Sequence, residues 1–146
     1  MTSETDPKTI MLRGSMNPHD ERLCAEGSIR PGMLLDFDSQ GRFVPHGTAA
    51  GQSAKIFARE ASMIGRDIDT VYTQGETVHA WSARSGDWIY AILEDGHNIA
   101  IGAILESAGD GSLQPVSGNF GVAKALEAVN TSGGAAATSR IRVEVL

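Results

Sequence analysis

Of 146 residues only Cys24 is a cysteine, so no intrachain disulfide can form, which fits folding in a reducing cytosol. Aromatic residues are scarce: two Trp, two Tyr and four Phe. Basic residues are outnumbered, with 12 Lys and Arg against 18 Asp and Glu, for a net charge of −6. No basic cluster exists to neutralise phosphates, which argues against a nucleic-acid partner. Residues 1–20 carry Glu4, Asp6, Lys8, Arg13 and Asp20 and hold no long apolar run. Neither a secretory signal nor a membrane-spanning helix is expected, so the sequence reads as a soluble chain with no membrane partner. The length suits one domain that buries roughly 70% of its unfolded surface without a metal or disulfide staple.

Catalytic signatures are missing too. There is no P-loop, no dinucleotide fingerprint and no Gly-x-Ser-x-Gly elbow. His19, His46, His79 and His97 are far apart, and none has zinc spacing with Cys24. Asp67 and Asp69 share a face if their segment is extended, but their neighbours are turn residues, where solvated carboxylates are the usual state. The reading is therefore not an enzyme, with no catalytic residue, cofactor or metal expected. Between Ser85 and Ala123 lie Asp87, Glu94, Asp95, Glu106 and Asp110 with no Lys or Arg. They read either as an acidic face for a basic partner or as a rim of solvated turns.

Glycine is plentiful: 17 residues, against an average near 7% of a chain. Gly, Asp, Asn and Pro recur every several residues from Ile29 onward and separate short apolar runs. Strands are predicted over 33–37, 54–61, 77–83, 88–93, 99–106 and 139–146. In the last, Ile141, Val143 and Val145 alternate with charged residues. Residues 122–129 fit a short helix by propensity and fit a strand equally well. Residues 131–138 read as a flexible loop.

Two segments echo each other 70 positions apart, through Ile29/Ile99, Gly32/Gly102, Leu35/Leu105, Gly41/Gly111 and Pro45/Pro115. The parallel extends to Ala54-Lys55 against Ala123-Lys124. Each copy reads as turn, strand, reversal and strand, with Gln40-Gly41 and Asp110-Gly111 at the reversals. The fold class expected is mainly β: a small barrel or sandwich with at most one or two short helices. Residues 1–28 lack any sustained period and read as an extended N-terminal arm before a β-rich domain over 29–146, or as a frayed terminus. Thr9, Ile10, Met11 and Leu12 hold the arm's one apolar cluster and are its candidate contact. Trp81, Trp88 and Tyr90 read as core, or as a candidate subunit interface.

The order of several segments resembles the head decoration, or capsid cement, proteins of tailed bacteriophages. They are Ile29-Arg-Pro-Gly-Met-Leu-Leu35, Ile68-Asp-Thr-Val-Tyr-Thr-Gln-Gly-Glu-Thr-Val78, Ala100-Ile-Gly-Ala-Ile-Leu-Glu-Ser-Ala-Gly-Asp-Gly-Ser-Leu113, Gly121-Val-Ala-Lys-Ala-Leu-Glu-Ala-Val129 and Arg140-Ile-Arg-Val-Glu-Val-Leu146. The resemblance implies a fold related to the phage lambda decoration protein, β-tulip-like. It implies a homotrimer on the outside of the expanded capsid, at threefold and quasi-threefold positions, clamping neighbouring major capsid subunits. It implies a virion protein synthesised in the host cytoplasm. The arm matches no motif of that family. A surface-displayed sugar- or ligand-binding β module, with Trp81 and Trp88 as exposed stacking platforms, is the alternative expectation.

Overall fold

The computed structural model describes residues 6–14, 18–25, 27–133 and 139–146. The tip of the expected loop over 131–138 lies outside them beyond Gly133, as do residues 1–5, 15–17 and 26 of the expected arm. The strands are β1 (Met11–Arg13), β2 (His19–Leu23), β3 (Leu34–Phe37), β4 (Phe43–Pro45), β5 (Ile56–Ala58), β6 (Thr77–Ser82), β7 (Trp88–Ile92), β8 (Asn98–Ile99), β9 (Ile104–Ser107), β10 (Leu113–Pro115), β11 (Ala123–Ala125), β12 (Val129–Asn130) and β13 (Arg140–Val145). One turn of 3₁₀ helix, Ser62–Ile64, completes the regular structure of the described residues. The chain is mainly β, as expected. Its sheets are antiparallel and stay open, so the domain is not a closed barrel.

Strand order shows that the echo is a duplication of architecture. One sheet runs β2-β6-β5-β3-β4, and the other runs β1-β7-β13-β11-β9-β10. Remove β1, and the second sheet repeats the first strand for strand. Registers agree as well. Leu35 faces Pro45 and Leu105 faces Pro115; Phe57 faces Trp81 and Lys124 faces Glu144; His19 faces Trp81 and Trp88 faces Glu144. Loop contacts follow: Ala25 N–H donates to the Phe43 carbonyl, and Glu94 N–H to that of Leu113. The small β8–β12 pair has its counterpart in the bridge between Ile29 and Tyr72.

The match of Ala54-Lys55 with Ala123-Lys124 is corrected. Ile56 and Phe57 are the true counterparts of Ala123 and Lys124, because the connection into β11 is three residues shorter than that into β5. Residues 122–129 hold the strand β11 and no helix. The run over 99–106 is broken by a turn at Gly102 into β8 and β9.

The two copies stack head to tail. Leu35, Phe43, Ile56, Val78 and Ala80 build the core of the first copy. Their counterparts Leu105, Leu113, Ala123, Ile141 and Val143 lie in the other core cluster. Leu34, Phe57 and Trp81, a cross-strand row on the opposite face of the first sheet, join that second cluster. Side chains alternate across a pleat, so a sheet apolar on both faces serves two cores. Burial of each of these three side chains stabilises the stack by about 1.5–3 kcal/mol.

Candidate functional site

The described part of segment 1–28 does not stand apart from the domain. Ile10 is 1% exposed and lies in the second core, with Met11 and Leu12 packed against it. Thr9 Oγ1 donates to Glu60 Oε1 at 3.3 Å, and Ile10 N–H donates to Glu60 Oε2 at 3.2 Å. Tyr90 N–H donates to the Ile10 carbonyl at 2.9 Å, and β1 then pairs with β7 through a register shift. Gly14 passes over Trp81 so closely that a Cβ there would lie 2.6 Å from the ring. Further on, β2 pairs with β6 over its full length, and Cys24 and Ala25 are buried. The described part of the expected arm contributes two edge strands, β1 and β2. Ile10 serves the chain's own core, so it is not an exposed contact residue.

The two groups of residues singled out in the sequence therefore meet. Strand β1, with Met11 and Leu12, lies on β7, which carries Trp88 and Tyr90. Trp88 keeps partial exposure; its Nε1 donates to Glu144 Oε2 at 3.1 Å, and the Arg13 guanidinium sits 3.9 Å from the ring centroid. That is cation–π distance. Trp81 and Tyr90 are 2% and 8% exposed, buried in the second core, so of the three only Trp88 keeps appreciable exposed surface. Burial, with Asp6 and Glu127 nearby, holds the Tyr90 phenol above its ordinary range.

The acidic stretch does not form a continuous face. Asp87 and Glu106 are buried, Glu94 pairs with His97 at 2.8 Å, and Asp110 caps its own turn by accepting from Ser112 N–H at 3.1 Å. Burial alone would raise the Glu106 pKa. Donors from Ser117 N–H (3.0 Å), Gln114 Nε2 (2.9 Å), Ser117 Oγ (3.0 Å) and Gly118 N–H (3.2 Å) outweigh it and hold the carboxyl below its usual range. The carboxylate fastens the loop after β10. Asp67 and Asp69 are engaged separately. Asp67 caps the turn to Thr70, and Asp69 accepts from Arg140 at 3.1 Å. An open cleft of about 460 Å³ between residues 52–55 and 119–122 holds one ionisable side chain, Lys55, whose Nζ donates to the Leu146 carbonyl.

One group was not foreseen. The histidines looked scattered, yet His19, Glu21 and His79 converge on the outer edge of the first sheet. Glu21 sits directly opposite His79 across the β2–β6 ladder, and His19 lies two residues back on the same face. Only the pairing of two strands some sixty residues apart brings them together, so no local spacing could announce it.

No family model matches the chain, and no curated protein matches it. Among the described residues no helix is long and apolar enough to cross a membrane.

Proposed function

We propose that this chain is a structural capsid-decoration protein. It acts as a homotrimer on the outside of an expanded bacteriophage shell, at threefold and quasi-threefold positions, and clamps neighbouring major capsid subunits. The observation that carries this reading is β1. The duplicated unit accounts for every strand of the two larger sheets except this one. A strand held at a sheet edge by main-chain bonds can extend or enter a partner's sheet. Three such strands in one trimer bind together, which raises avidity by roughly 10²–10⁴. The resemblance of the sequence to phage decoration proteins supports the reading. So does the use of the buried carboxylates Glu60 and Glu106, which fasten backbone segments. The sugar-binding alternative loses one of its two platforms, because Trp81 is in the core.

Sedimentation with undecorated expanded capsids of the phage that encodes the chain tests the proposal. Saturable co-sedimentation and a higher capsid melting temperature are expected. Failure to bind that shell would overturn it.

A further inference from the structure

We propose that His19, Glu21 and His79 form a three-ligand site for a divalent transition metal ion of the zinc type. Zinc–nitrogen and zinc–oxygen bonds are about 2.0–2.2 Å, and tetrahedral angles then place ligand atoms about 3.4 Å apart. Here Glu21 Oε2 lies 3.3 Å from His19 Nε2, and Glu21 Oε1 lies 3.6 Å from His79 Nε2. The three ligand atoms fall within 4.8 Å of one another. The two rings meet edge to face with centroids 5.4 Å apart, and each brings its Nε2 to one oxygen of the Glu21 carboxylate. Two imidazoles and one carboxylate select zinc-like ions over calcium or magnesium, which take oxygen ligands. A fourth position stays open to water.

The duplication supplies an independent argument. The positions of His19, Glu21 and His79 in the first copy correspond to Trp88, Tyr90 and Arg142 in the second. The architecture therefore does not require these residue types at these places. They are particular to one copy, at an edge that solvent reaches: the His19, Glu21 and His79 side chains are 35%, 50% and 12% exposed. A bound ion would tie β2 to β6 and so fasten the edge of the first sheet.

The test uses the full chain without a histidine tag, stripped of metal and titrated with zinc chloride by calorimetry near neutral pH. One saturable site per chain is expected, with a rise in melting temperature of about 5–10 °C at a hundredfold excess over Kd. His79→Gln and Glu21→Gln each weaken binding at least about tenfold, and His97→Gln leaves it unchanged. His19 is substantially exposed, so His19→Gln keeps the fold and carries the test if His79→Gln does not fold. Absence of saturable binding, or binding that His19→Gln leaves unaltered, overturns the site.

Discussion

Gly32 and Gly102 hold the same turn in the two copies, at φ +98° and +88°, yet their surroundings differ. A Cβ on Gly32 would lie 2.8 Å from the Tyr90 carbonyl, where the two copies meet, whereas one on Gly102 would meet nothing within 4 Å. Left-handed backbone costs a non-glycine residue about 1–2 kcal/mol. Gly102→Ala loses about that much, and Gly32→Ala loses a further 1–3 kcal/mol or so from the clash. Equal losses in urea unfolding would contradict the stacking described. Tyr72 gives a second residue-level check. Burial pushes its phenol up to about 12, and its hydroxyl donates to the Arg59 carbonyl at 2.6 Å. The unfolded chain ionises near 10, so this contribution to stability is whole below pH 10 and fades as pH rises through about 12. In a Tyr90→Phe variant, where Tyr72 is the one tyrosine left, tyrosinate absorbance should rise near pH 12. An ordinary titration centred near 10 would contradict the burial. At the acid end, the Arg66 guanidinium and the Thr73 donors lower Glu76 to about 2. Its contribution is present above its ordinary 4.5 and disappears as pH falls through about 2.

Among the elements, the hairpins were the most legible in the sequence. Gln40-Gly41 and Asp110-Gly111 reverse the chain between β3 and β4 and between β9 and β10. In β13 the alternation Ile141, Val143, Val145 marks one buried face without ambiguity. The N-terminal strands were not legible, for two different reasons. β1 has three residues, too short for any period to show. β2 is polar except for Leu23, which is 51% exposed, so its conformation comes from pairing with β6 and not from an apolar face of its own. Buried Glu60 and Glu106 hid among ordinary turn acids for the same reason: their partners lie on other elements. Truncations separate the strands' roles. Deleting residues 1–13 removes β1 and leaves both copies of the duplicated unit whole. A cooperative β fold should persist, less stable by about 2–5 kcal/mol for the loss of buried Ile10. Deleting residues 1–28 also removes β2 and buried Cys24 and Ala25, and cooperative unfolding should be lost. If the longer deletion melts as sharply as the full chain, the segment is not part of the fold.

At the scale of the whole molecule, the sequence echo proved to be the visible trace of a complete duplication. Only the paired hairpins kept enough identity to be read, because the remaining strands changed their partners' chemistry. The row Leu34, Phe57 and Trp81, which the first copy buries against the second, is replaced in the second copy by Ile104, Lys124 and Glu144. These are half-exposed, with Lys124 Nζ 4.0 Å from Glu144 Oε1. Charges on that face end the stack after two units, as polar outer faces do in repeat proteins. What results is a stacked pair of sheets with one additional strand, β1, on an edge beside Trp88. The proposed clamp rests on that edge strand. Electron cryomicroscopy of expanded capsids saturated with the protein tests it most directly. Trimeric density is expected on the outer surface at threefold and quasi-threefold positions, spanning adjacent capsid subunits. A shell without added density, or density confined to single subunits away from those axes, would contradict it.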